Sequence, residues 1–428
     1  MKCSIAWSSL YVHADGKVTP CCGDLKFGDT RQSLVESFNG DFATKLRKQM
    51  RDNSSDLPEI CSNCSLLQRL GSHNNFPELF PLLAKFEERQ ADDLATGYDN
   101  LSSAYANEEL PAPGSKPLSL MVQFGELCNI QCIMCPQDHL SPVGISPESI
   151  ERVKEAIPSI ANMTLTGGEP TAFKQCWEII EHFNLYASKQ ARIGILTNLK
   201  SVSKQRVERY FNNINYLGLG INVDAAKKAT YEHIRRGANW EQFNRNLADL
   251  LEYRAANDKK NWHFNLTMTI MKSNLHEIVD CIKWAGSLGL GFGCGPMTGD
   301  YGPVKNARTY LEENIFRYPH IGVSQAEAIS VFEQALEAAD CIPLEYREGA
   351  KNNISGMIEF AKSTKPVVIS EPDVEKLRAL PDAELSQALC SIVTTGTAPW
   401  NLKPPKAAWW MKRARNARNI IRAAVRQA

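Results

Sequence analysis

Cys128, Cys132 and Cys135 stand in the run CNIQCIMC, three thiols at C-x3-C-x2-C spacing on one short stretch. Thiolates set this closely hold three irons of a [4Fe–4S] cube and leave the fourth iron open to a small ligand. A ligand on a reducible cluster means redox chemistry. Zinc is the plainer alternative, but a structural zinc site takes four protein ligands. The nearest further candidate, His139, stands four residues beyond Cys135 and reads as a loop histidine. Thirty-two residues after Cys135 come Gly167-Gly168-Glu169-Pro170. Such glycines let the backbone pass close to a neighbouring group, and Glu169 adds a carboxylate beside them.

The elements that must position these groups are legible from residue 118 onward. Strands are expected at Leu118–Phe124, Asn162–Thr166, Arg192–Thr197, Tyr216–Val223, Trp262–Met271 and Leu290–Gly295, with helices at about 146–157, 172–187, 202–212, 239–256 and 274–287. Ser146-Pro147-Glu148 is a capped helix start with proline in the first turn. Six βα units in succession argue for an α/β fold with a parallel sheet curled into a partial (β/α)6 TIM-like barrel. Chemistry in such barrels sits at the C-terminal ends of the strands. The cysteine loop directly follows the first strand and GGEP the second, so two separate motifs land on one rim.

That coincidence resembles the radical SAM (S-adenosylmethionine) superfamily over about residues 118–296. The resemblance implies a [4Fe–4S] cluster on Cys128, Cys132 and Cys135, with SAM chelating its open iron and an external electron donor such as flavodoxin or ferredoxin. One electron passed into the sulfonium would yield a 5′-deoxyadenosyl radical that abstracts hydrogen from a substrate. Gly167, Gly168 and Glu169 would receive the methionyl amine. Asn222, ending the fourth strand, stands where many members have a serine that helps hold SAM, and Arg235 or Arg236 is placed like the arginine that pairs with the SAM carboxylate. Thr197-Asn198, ending the third strand, would face the ribose. Met134 replaces an aromatic that packs near the adenine.

Thirteen cysteines are many for 428 residues, and their grouping carries the meaning. Cys3, Cys21, Cys61 and Cys64 form a second ligand set, two on a hairpin read over residues 2–22 and two in a CxxC after a helical stretch, SLVESFNGDFATKLRKQMRD. Four such cysteines build either a zinc knuckle or an iron–sulfur site. The stretch from Asp15-Gly-Lys-Val-Thr-Pro-Cys21 to Cys61-x2-Cys64 resembles the twitch/SPASM module, placed before the barrel, which implies an auxiliary [4Fe–4S] cluster. Cys21 is preferred over its neighbour Cys22. The scattered cysteines read as small core residues, Cys294 among them, although its place near the sixth strand's end leaves a cleft-facing hydrogen donor as an alternative.

The expected organisation is an N-terminal cluster module over 1–70, a linker with a helical segment over 71–117, the barrel over 118–299, a helical extension over 300–394 and a basic tail over 395–428. The tail carries eight Lys or Arg and no acid, while the whole chain balances 48 basic against 48 acidic residues. Read as a helix from Lys406 to Gln427, it is suited to an acidic partner, nucleic acid or an anionic membrane surface, or to docking on the acidic body. No apolar run approaches the length of a membrane span and no signal segment is recognisable, so a cytoplasmic location is expected. Two functions stand: an enzyme acting on a small alcohol, a sugar or a peptide side chain, and a non-catalytic iron–sulfur or zinc protein, sensory or scaffolding.

Overall fold

The computed structural model describes residues 3–62 other than 22 and 24, together with 64, 80, 93–297, 306–395 and 400. Its strands are β1 (Ser9–Val12), β2 (Lys17–Thr19), β3 (Gly28–Asp29), β4 (Ser119–Gln123), β5 (Gln131–Cys132), β6 (Asn162–Thr166), β7 (Arg192–Thr197), β8 (Tyr216–Asn222), β9 (Arg235–Arg236), β10 (Trp262–Ile270) and β11 (Gly291–Pro296). β4, β6, β7, β8, β10 and β11 lie side by side in that order, all parallel. These are the six expected strands, shifted by a residue or less at their ends, and they form the open (β/α)6 barrel.

The sheet does not stop at β4. β1 pairs with it in parallel, Val12 beside Val122, and β2 and β3 follow antiparallel, so one nine-stranded sheet runs from the N-terminal hairpin through the barrel. Leu118 N–H donates to Ser8 O at 2.8 Å, and the Trp7 indole donates to Glu109 O at 3.0 Å. A parallel join between segments over a hundred residues apart leaves no local pattern in the sequence.

The two faces of the barrel sheet differ sharply. On β10, Trp262, Phe264, Leu266, Met268 and Ile270 are buried, while His263, Asn265, Thr267 and Thr269 are half-exposed. The same alternation crosses the sheet: Leu120, Val122, Met163, Leu165, Ile193, Ile195, Leu217, Leu219 and Ile221 are buried on the face beneath the helices. The concave face carries Ser119, Met121, Gln123, Thr164, Thr166, Gly194, Gly220, Asn222, Gly293 and Gly295. A closed barrel fills its interior with branched side chains; this one lines it with small and polar groups. Leu196, exposed on a central strand and in contact range of Gly220, marks how open that face is.

Local structure departs from expectation in the N-terminal module. Ser4–Ser8, read as strand, is a helical turn, with Ser8 Oγ donating to Ser4 O at 2.9 Å and Ala6 and Trp7 buried. The helix expected from Ser33 onward breaks at Gly40 into Leu34–Asn39 and Asp41–Arg51. The break re-phases the chain, so Ala43 is buried and Phe42 is 41% exposed. The first piece starts on a Ser33/Glu36 capping box. Residues 306–395 are helical, as expected, and the helices Ala307–Glu313 and Asp382–Thr395 pack together. Helix Leu344–Ser363 lies against β11 and helix Gln325–Ala338. The basic tail from 401 onward lies outside the described residues. Among the described residues no helix is long and apolar enough to cross a membrane.

Candidate functional site

The chain leaves β4 through Phe124, whose N–H donates to Thr166 O at 3.1 Å, and turns at Gly125 with φ +146°. A side chain at Gly125 would meet Val143 O at 2.6 Å, where the two ends of the cysteine loop cross. Cys128 N–H donates to His139 O at 3.1 Å, closing the loop on itself. β5 pairs antiparallel with β9, putting Cys132 opposite Arg235 and Gln131 opposite Arg236. Lys200 fastens both pieces, its Nζ donating to Asn129 O at 3.0 Å and Gly237 O at 2.8 Å. Asn198 Nδ2 lies 3.7 Å from Cys128 Sγ and donates to Asn129 Oδ1 at 2.8 Å.

The glycines of GGEP serve the loop directly. Gly167 has φ +146°, and a Cβ there would meet Gly125 O at 2.8 Å. A Cβ on Gly168 would overlap the carbonyls of Glu126 and Leu127, so only glycine lets this turn lie against the cysteine loop. Gly168 N–H donates to Gly125 O at 2.8 Å and Glu169 N–H to Leu127 O at 3.0 Å.

Glu169 is buried, and its carboxylate is already engaged. It accepts from Thr197 Oγ1 at 2.8 Å, Asn198 N–H at 2.6 Å, Thr171 N–H at 3.1 Å and the Thr171 hydroxyl. Burial pushes its pKa up, and the bonds from Asn198, Thr171 and Thr197 work against that. Of the pair Thr197-Asn198 expected at a ribose, Thr197 is buried beneath Glu169 and does not line the cavity. Its neighbour Asn198 does.

Asn222 lines the cavity, with its Oδ1 accepting from Thr267 Oγ1 at 2.6 Å. Asp224, two residues on, sits at φ +59° and accepts from Thr269 N–H at 2.7 Å. Arg235 is buried against it in an ion pair, both side chains 3% exposed. Burial opposes the charge on Arg235, and Cys132, Asp224 and Tyr231 outweigh it, holding the guanidinium above its ordinary pKa. The two arginines are thus unequal: Arg235 is held by Asp224, while Arg236 is exposed on the cavity wall.

The cavity measures about 700 Å³. All three loop cysteines line it, with Gly167, Gly168, Glu169, Asn198, Asn222, Arg235 and Arg236, and Met134 among them. One wall was not foreseen from the sequence. Asn306, Arg308 and Asp382 of the C-terminal extension line it, Asn306 Nδ2 donating to Met134 O and Arg308 pairing with Asp382 at 2.9 Å. Arg308 also donates to Arg378 O and Leu380 O, both at 2.9 Å. Cys294 is buried in the core and lies outside the cavity lining, its backbone N–H donating to Asn353 Oδ1 at 2.6 Å.

The N-terminal thiols gather elsewhere. Cys3 precedes β1, Cys21 follows β2, and Cys61 lies in the short helix Glu59–Ser62 with Cys64 just beyond. Burial pushes the Cys3 thiol pKa up, the backbone N–H groups of Ala6 and Ile5 work against that, and Cys64 adds to the rise. Cys61 is pushed up to about 11 by burial and by Cys3 and Cys64. Cys21 Sγ and the Ile60 side chain both lie within 3.4 Å of where a Cβ on Gly23 would stand. Cys22 lies outside the described residues. Because β1 runs parallel to β4, this set lies at the end of the sheet opposite the cysteine loop.

Both donor sets are all sulfur, the chemistry that suits iron–sulfur clusters. Residues 122–285 match the sequence profile of the radical SAM superfamily, and residues 3–65 that of SPASM, an iron–sulfur cluster-binding domain. Residues 122–285 form a radical SAM domain, preceded by a SPASM domain. The radical SAM domain implies a [4Fe–4S] cluster and SAM, and the N-terminal SPASM domain supports an auxiliary iron–sulfur cluster. A curated relative, described as a probable GTP 3′,8-cyclase of Thermococcus kodakarensis, is 24% identical over 182 residues, 41% of this chain and 55% of its own. The chain thus spans about half the length of that relative. Among solved structures, Streptococcus suis SuiB bound to S-adenosylmethionine is 15% identical with TM-score 0.38, covering 56% of this chain and 54% of that one. Native anSMEcpe with bound AdoMet and Kp18Cys peptide is 18% identical with TM-score 0.35, covering 47% and 59%.

Proposed function

We propose that this radical SAM enzyme works at the 700 Å³ cavity, with Cys128, Cys132 and Cys135 holding the catalytic cluster and the substrate lying on the concave face of the sheet. With its cluster and SAM bound, such a site supplies a 5′-deoxyadenosyl radical that takes a hydrogen atom from the substrate. Gly167 and Gly168 present backbone to the SAM amine beside the buried Glu169 carboxylate. Asn222 and Arg236 offer polar groups to the methionyl carboxylate or ribose, and Asp224 fixes Arg235 behind Cys132. Cys3, Cys21, Cys61 and Cys64 hold the auxiliary cluster.

The observation that carries this reading is the convergence of the cysteine loop, the GGEP turn, Asn222 and Arg236 on one cavity that opens onto a small-residue, polar barrel interior. An enzyme needs that room, and a purely structural iron–sulfur protein does not. The polar lining suits a polar substrate, a sugar or a peptide side chain.

The test is iron, labile sulfide and zinc per chain after anaerobic reconstitution, with SAM cleavage under a strong reductant. About eight irons are expected, falling to about four with loss of SAM cleavage in Cys128→Ala/Cys132→Ala/Cys135→Ala. A wild type without iron, or one with iron that leaves SAM intact, overturns the reading.

A further inference from the structure

At the end of the barrel away from the cysteine loop, Arg192 opens β7 on the concave face. β7 and β8 are in register there, Gly194 beside Gly218 and Leu196 beside Gly220. The face is the one that carries Asn222 and Thr269 into the catalytic cavity. Arg192 does not extend away from the sheet. A Cβ on Gly218 would stand 2.6 Å from its Nη2 and 3.3 Å from its Cζ, so the guanidinium lies across Gly218. Glycine inside a strand weakens it and marks a close approach; here the approach is by an arginine.

Among the described residues, the Arg192 side chain makes no hydrogen bond or ion pair, and it is exposed to solvent. Beside it on the next strands are His263 and Asn265, and His263 Nδ1 lies 3.0 Å from Tyr346 Oη. The Tyr346 ring closes this end from the C-terminal extension, 3.2 Å from where a Cβ on Gly291 would stand. The Glu345 carboxylate acts on His263 and Tyr346 but does not pair with Arg192, and a guanidinium laid on the inner face without a carboxylate partner of its own can take an anion.

We propose that Arg192, flanked by His263 and Tyr346, binds a carboxylate or phosphate group of the substrate, which rests on the site assignment made above. Six strand residues at about 3.3 Å each put roughly 20 Å between Arg192 and Asn198, and Asn198 Nδ2 is 3.7 Å from Cys128 Sγ. A molecule gripped at Arg192 and reacting beside the cysteine loop is therefore elongated, with its anionic group remote from the hydrogen that is removed. A free small alcohol does not meet that description.

The test titrates the reconstituted full chain with inorganic phosphate and, separately, with succinate, by calorimetry. The wild type should bind one of them saturably; Arg192→Gln should weaken that binding about tenfold or more, and Arg192→Lys should retain most of it. Preference for phosphate assigns a phosphorylated substrate, and preference for succinate a carboxylate. Absence of saturable binding by the wild type, equal affinity in Arg192→Gln, or loss in Arg236→Gln alone overturns the proposal. Iron measured on the same wild-type batch keeps the two readings apart. Protein that holds iron and binds neither anion fails this inference only, and protein without iron fails the proposed function whatever the titration gives.

Discussion

Cys132 and Arg235 face each other across a two-residue antiparallel ladder, and Arg235 is in turn buried against Asp224. The cysteine loop therefore does not stand free on the rim. It is strapped to the segment that follows the fourth barrel strand, and Lys200 bridges the same two segments. Ligand loop, charge and sheet are one mechanical unit, so changes in any of them should register in cluster retention.

Arg235→Met leaves Asp224 as a buried charge without its partner. Breaking such a pair costs about 3–5 kcal/mol, more than replacing both members with apolar groups. Chemical denaturation should show the single variant well below wild type and the double variant Arg235→Met/Asp224→Leu recovering part of the loss. Equal losses in both would mean that the pair contributes through packing alone.

Gly168→Ala places a methyl group into the carbonyls of Glu126 and Leu127, which are backbone and cannot swing aside. The cysteine loop must move, and the iron count of the reconstituted protein should fall from about eight to about four. Gly356→Ala is the control. Nothing lies within 4 Å of its added Cβ in the helix Leu344–Ser363, so that variant should keep its iron and gain about 0.5–1 kcal/mol of stability.

His263 has its pKa lowered, chiefly by burial and then by Arg192, with Arg254 acting in the same sense and Glu345 against it. A depressed histidine favours the fold while neutral. That contribution is complete above the unfolded value of about 6.5 and is lost as pH falls through the lower folded value. The wild type should therefore lose more stability between about pH 7.5 and about pH 5 than His263→Gln does. Parallel curves from thermal melts would rule this out. The lowered pKa of His13 leaves some acid sensitivity in the variant as well.

Truncation before Leu118 would remove β1 and bare the edge of β4 along Ser119–Val122. An uncovered parallel edge pairs with other chains. The barrel fragment is expected in aggregates or oligomers on size-exclusion chromatography, where the full chain elutes as a defined species. A monomeric, cooperatively melting fragment would show that the N-terminal module is dispensable to the sheet.

Much of this was legible in the sequence, and for definite reasons. The strands Asn162–Thr166 and Arg192–Thr197 appear at their expected bounds because each is short and alternates buried apolar residues with residues on the open face. The cysteine spacing and GGEP needed no tertiary information, since ligand type and separation along the chain already state the chemistry. What failed failed locally: Gly40 divides a helix read as one stretch, and Ser4–Ser8, with Trp7 buried, forms a turn instead of a strand.

The sequence by itself determined the cofactor chemistry and the βα order, because thiol spacing, turn residues and hydrophobic alternation are properties of short stretches. Tertiary structure alone decided the rest. It set β1 beside β4, buried Thr197 beneath Glu169, and gave Arg235 to Asp224 while leaving Arg236 on the cavity wall. It laid Arg192 over Gly218 and brought Asn306 and Arg308 round to close the cavity. Each of these joins residues distant in the chain, and which partners meet depends on how the sheet curls and which face is left unpacked. No local pattern carries that information, because the free energy that settles it is shared among contacts across the whole fold.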